Sequence, residues 1–70
     1  MNGIYVFKTS ITSNVEVQLV NSTLQKVPTI KKWSFDLEDC DNILRVVSKE
    51  NIAQYIIDEL QELNIRCEEL

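Results

Sequence analysis

The chain offers few side chains able to do chemistry. Histidine is absent, and the thiols are Cys40 and Cys67. Two thiolates alone do not close a tetrahedral structural zinc site. Neither has a histidine or a cationic cluster nearby in sequence to depress its pKa, so both read as inert cysteines, with Cys40 exposed in a turn. Asp36, Glu38, Asp39 and Asp41 form an acidic cluster. It lacks the central glycine and distal bidentate glutamate of an EF-hand loop, so it reads as a solvated turn. Ser13-Asn14-Val15-Glu16 has the S-x-x-E spacing of a capping box. There the serine oxygen accepts from the third helical N–H while the glutamate reaches back to the cap. A cation or anion contact is the functional alternative at that point, but one carboxylate does not build a cation cage. No histidine base, glycine-rich phosphate loop or nucleophile–base pair is present, so the sequence predicts a non-enzyme.

Composition narrows the classes further. Seventy residues, 44% hydrophobic and 26% charged, suit one small globular domain over 1–70 rather than a disordered tail. Seven basic against 11 acidic residues give a formal charge of −4. That sign disfavours nucleic-acid backbones and anionic lipid, and no ribonucleoprotein motif offsets it. No apolar run approaches the ~18 residues of a membrane span. MNGIYVFKTS lacks a basic n-region and a long h-region, so no secretory signal is expected. Cytoplasmic placement with both thiols reduced follows as the expectation.

Those side chains need elements to hold them. IYVFKT at 4–9 is β-rich and apolar on both faces at first. From there Val17, Val20, Leu24 and Val27 draw one helical stripe, stopped by Pro28. KKWSFDLE at 31–38 alternates, with Trp33, Phe35 and Leu37 on one face. DCDN at 39–42 is turn chemistry, and ILRVV at 43–47 returns as the second hairpin strand. Ser48 is the expected N-cap of a second helix, with Glu50 in its first turn. Ile52, Tyr55, Ile56, Leu60 and Leu63 make the inner stripe of that helix, and Asn64 supplies its αL stop. IRCEEL at 65–70 reads as a last strand.

The order β-α-β-β-α-β, with right-handed crossovers, predicts an α+β ferredoxin-like sandwich: a four-stranded antiparallel sheet with two helices on one face. The other sheet face stays open. Either Ile4 and Val6 or Tyr5 and Phe7 must point to it, joined by Ile43 and Val47 and interrupted by Arg45. Lys31 and Lys32 flank an edge strand, where charge discourages pairing with other strands.

LQKVPTIKKWSFDLEDCDNILRVV resembles the middle of a heavy-metal-associated domain, the fold of small copper chaperones and of the N-terminal modules of metal-pumping ATPases. The resembling positions are Leu24, Val27, Pro28, Ile30, Trp33, Phe35, Leu37, Asp41, Asn42 and Leu44–Val46; ELQELNIRCEEL resembles the family's close, with Asn64 where glycine is usual. The family's Met-x-Cys-x-x-Cys motif would fall on 11–16, where this chain has Ile11, Ser13 and Glu16. Hydroxyl and carboxylate do not imitate the thiolates that hold a soft metal such as Cu(I). The resemblance therefore implies the fold, no cofactor and no carried-over metal ligand. The expected function is a small binding module acting through a protein partner or as a homodimer across the open sheet face. The alternative is a metal-ion binding or transport protein using noncysteine ligands or a thiol shared between subunits, with Cys40 and Cys67 as the candidates.

Overall fold

The computed structural model describes residues 2–38 and 40–70. Strand β1 (Gly3–Thr9) is followed by helix α1 (Asn14–Leu24), strands β2 (Ile30–Asp36) and β3 (Ile43–Ser48), helix α2 (Ala53–Glu62) and strand β4 (Cys67–Glu69). The sheet order is β2-β3-β1-β4, and every pairing is antiparallel. This is the expected ferredoxin-like βαββαβ arrangement. Two crossovers each carry a helix over the sheet, and a hairpin joins β2 to β3.

Alternation decides the faces. On β1, Phe7 and Thr9 are buried and Tyr5 packs against the core, while Ile4 and Lys8 are exposed. Across the ladder Phe7 is opposite Leu44 and Tyr5 opposite Val46, so these four share the helix side. Val20 and Leu24 of α1 meet them together with Ile56 and Leu60 of α2, all fully buried. One cluster therefore receives both helices, and among the described residues the opposite sheet face bears no helix.

Local chemistry sets the element ends. Asn42 has φ 50° and Asn64 φ 62°, the left-handed region that asparagine tolerates better than most residues. At the end of α2 the Asn64 N–H donates to the Gln61 carbonyl at 3.0 Å and the Ile65 N–H to Leu60 at 2.9 Å. Those bonds make a Schellman motif, with buried Ile65 over buried Leu60 as its hydrophobic contact.

Several sequence expectations need correction. Ser48 is not a helix cap but the last residue of β3. Its fully buried hydroxyl donates to the Thr29 carbonyl at 3.1 Å and accepts from the Glu50 N–H at 3.3 Å. Helix α2 starts five residues later, where the Asn51 side chain accepts from the Ala53 N–H. A serine bonds its neighbouring backbone equally well at a strand end, so its type alone does not locate the helix. Tyr55 is exposed, and Ala53 takes its place on the inner stripe. Helix α1 ends at Leu24, so Val27 packs on the core from the turn before Pro28. Strand β2 stops at Asp36, which leaves Leu37 outside it and partly exposed. The last strand is three residues rather than six.

Candidate functional site

The β1–α1 junction is pinned before it reaches Ser13. Thr9 closes β1, and its hydroxyl donates to the Asn42 carbonyl at 2.6 Å and accepts from the Ile11 N–H at 3.2 Å. The Ser10 and Arg66 segments exchange two bonds, Ser10 N–H to the Arg66 carbonyl at 3.0 Å and Arg66 N–H to Ser10 Oγ at 2.9 Å. Ile11 is fully buried in the core. The residue in the methionine position of the resembling family thus fastens the loop from inside.

Ser13 is the N-cap of α1, with extended backbone (φ −132°, ψ 157°). Its Oγ accepts from the Glu16 N–H at 3.3 Å and donates to Glu16 Oε1 at 3.2 Å. The same Oε1 accepts from the Thr12 N–H at 3.0 Å. The capping box is present with one shift: the carboxylate's backbone bond reaches the residue before the cap. The Thr12 N–H is the main reason that the Glu16 pKa lies below its ordinary value; desolvation opposes it, and the bonds to Ser13 add to the lowering. The carboxylate is anionic and already engaged within its own turn.

The two thiols differ. Cys40 is exposed and Cys67 is buried, and both are free. Burial, helped by the charge of Glu68, pushes the Cys67 thiol up to about 12, so it is a neutral thiol near neutral pH. Thr9 pairs with Cys67 on one side and bonds the Asp41–Asn42 backbone on the other. The hairpin turn therefore returns toward β1 and is not isolated at the far edge of the sheet. Among the described residues no group of three or more Cys, Asp or Glu side chains is placed to hold a metal. Of the acidic cluster, Asp36 pairs with Arg45 at 3.8 Å and Asp41 with Lys8 at 3.6 Å. Asp39 lies outside the described residues.

On the open sheet face Ile4 is 70% exposed, and Val6 and Val47 are half-buried. Ile4, Val47, Arg45, Ser34, Lys32 and Trp33 line a shallow depression of about 280 Å³. The expected patch is smaller than its residue types suggest. Ile43 is buried on this face, in register between Lys8 and Asp36, each of which is held in an ion pair.

Two features lie outside the expectations from the sequence. Trp33 Nε1 donates to Asn21 Oδ1 at 2.8 Å, tying β2 to α1. An open groove of about 900 Å³ lies at the Thr9 end of the sheet, lined by residues of the β1–α1 loop and the α2–β4 turn such as Ser10, Thr12, Asn64 and Arg66. An unpaired indole N–H is a usable signal for the first, since buried Trp seeks an acceptor. The groove depends on two loops that the sequence keeps far apart.

Fold and junction together define a ferredoxin-like α+β domain in which the first strand–helix loop is drawn in by Ile11 and closed by a cap. A solved structure of this fold is the solution structure of the yeast copper transporter domain CCC2A in the apo and Cu(I)-loaded states. It has a TM-score of 0.81 and 17% identity over 96% of this chain and 93% of that one. At that identity the likeness is one of fold. No protein-family model matches the chain, and no curated protein matches it. No helix among the described residues is long and apolar enough to cross a membrane.

Proposed function

We propose that this chain is a non-catalytic binding module, one domain over residues 1–70, that uses a heavy-metal-associated-like fold without a dithiol site. One observation carries the reading: Ser13 and Glu16 are bonded to each other and to the start of α1. At the junction where the resembling family places its thiolates, the donors present are a hydroxyl and a carboxylate already spent on a cap. Neither suits a soft cation. What remains for recognition is the open sheet face around Ile4 and Val47, which would meet a protein partner. A reducing, cytoplasmic setting suits two unpaired cysteines.

The second reading is metal-ion binding or transport through noncysteine or intersubunit ligands. The exposed thiol of Cys40 favours it, being open to a second molecule. An amide NMR titration of reduced protein with Cu(I), then Zn(II), against a competing chelator separates the two. The module reading expects no saturable shifts over residues 10–17. Saturation there at stoichiometric metal overturns it. Shifts around Cys40 with slower tumbling establish the second reading in its place.

A further inference from the structure

Strand β2 is an outer strand of the sheet, with β3 on one side and, among the described residues, no strand on the other. Its charges are ordered along its length. Lys31 and Lys32 stand at the start, Asp36 at the end and Glu38 just beyond. A strand that begins basic and ends acidic is complementary to itself when turned around. We propose that the free edge of β2 pairs antiparallel with β2 of a second copy, joining two four-stranded sheets into one.

The charges select a register. A two-fold axis through an antiparallel pair sets one residue opposite its own copy. With Ser34 on the axis, Lys32 of each copy stands opposite Asp36 of the other, on the open sheet face that Lys32, Ser34 and Asp36 share. Trp33 stands opposite Phe35 on the helix side. An axis through Trp33 sets Lys32 opposite Ser34; one through Phe35 sets Asp36 opposite Ser34. Among these, only the Ser34 register pairs Lys32 with Asp36 twice. Both side chains are available: Lys32 is exposed, and Asp36 is 43% exposed with Oδ2 on Arg45 and its other oxygen outside that contact.

Edge lysines and a bulge usually keep other strands away. Here the register shift between Ile30 and Lys32 limits regular pairing to about five residues, and the lysines repel any strand except one presenting acid at that point. The opposite edge does not offer the same match. Strand β4 is three residues long, and Glu68 and Glu69 would meet like charge in a second copy. An interface of one short strand per copy lies at the small end of specific contacts, so the dimer is weak and concentration-dependent. The inference rests on the edge, not on the open-face reading above, and would set two open faces side by side.

Sedimentation equilibrium and amide shifts of the full reduced chain, from micromolar to millimolar at low salt, test it. A monomer–dimer equilibrium is expected, with shifts centred on residues 32–36 and weakening as salt screens the exposed pairs. Lys32→Glu should raise the dimer dissociation constant about ten-fold, and Lys32→Glu with Asp36→Lys should restore association by exchanging the charges. In mixed isotope-labelled samples, intermolecular NOEs should join Trp33 to Phe35; these decide the matter if the double variant does not fold. A chain monomeric at millimolar concentration overturns the proposal. So does a dimer indifferent to Lys32→Glu but lost in Ile4→Asp, which would be a face-to-face dimer and would support the open-face reading. Species larger than a dimer also overturn it, since they indicate head-to-tail pairing of β2 with β4.

Discussion

Ser13 and Glu16 hold each other: the serine Oγ takes the Glu16 N–H at 3.3 Å and gives its own proton to Glu16 Oε1 at 3.2 Å. The pair satisfies one of the N–H groups that a helix start leaves without an intrahelical partner. Ser13→Ala removes both bonds and should cost about 1 kcal/mol, or about 4–8 °C in melting temperature for a domain of this size. Urea and thermal unfolding of the variant check this. A change within error would show that the cap contributes nothing to stability.

The same geometry makes a pH prediction. The Glu16 pKa is lowered in the folded state from its ordinary 4.5, chiefly by the Thr12 N–H. A carboxylate held lower in the folded than in the unfolded chain stabilises the fold above the unfolded value, and that stability is lost as pH falls through the folded value. The group is solvent-exposed, so the effect is modest. Acid titration by NMR should place the Glu16 midpoint below the ordinary glutamate value of 4.5. Glu16→Gln should flatten the acid limb of stability relative to the parent. A Glu16 midpoint at or above the ordinary value would contradict the bond to Thr12.

Asn21 and Trp33 lock α1 onto β2 through a 2.8 Å bond between partly buried groups. Asn21→Ala leaves the indole N–H without its acceptor in a half-buried site, at a cost of about 1–2 kcal/mol. The only tryptophan reports on it directly. Its emission should shift to longer wavelength and its indole proton should exchange faster with solvent. An unchanged indole signal would mean that water replaces Asn21 without loss.

What could be read in the sequence, and what could not, divides along the range of the interactions. Trp33, Phe35, Leu44 and Val46 announce their faces because a strand repeats every two residues and one side is buried. Asn42 and Asn64 announce their turns because few other residues accept positive φ. Ser13 and Glu16 carry a spacing that has one simple local use. Ser48 misleads because its partner is the Thr29 carbonyl, nineteen positions away, which no local pattern contains. Ile43 misleads for a related reason. It lies on the open face, yet it is buried between side chains whose ion pairs reach across strands. The bond between Thr9 and Asn42 and the exchange between Ser10 and Arg66 are likewise products of the closed fold.

The two cysteines should separate cleanly by reactivity, and this bears on both functional readings. Alkylation requires the thiolate and access to it. Cys40 is exposed, whereas Cys67 is buried on β4 and its thiol is pushed up to about 12 by burial and by Glu68. In folded protein near neutral pH, iodoacetamide should modify the exposed Cys40 and leave Cys67 untouched, with both reacting in denaturant. The residual rate at Cys67 should follow the unfolded fraction, so it should rise in Ser13→Ala in proportion to the lost stability. A buried thiol whose pKa exceeds its unfolded value of about 9.0 also favours folding below that pH. That contribution declines as pH climbs from about 9.0 toward about 12, and Cys67→Ala should remove the decline. Rapid native labelling of Cys67 would mean that β4 opens readily. It would then return Cys67 to the set of thiols able to meet a metal or a second subunit.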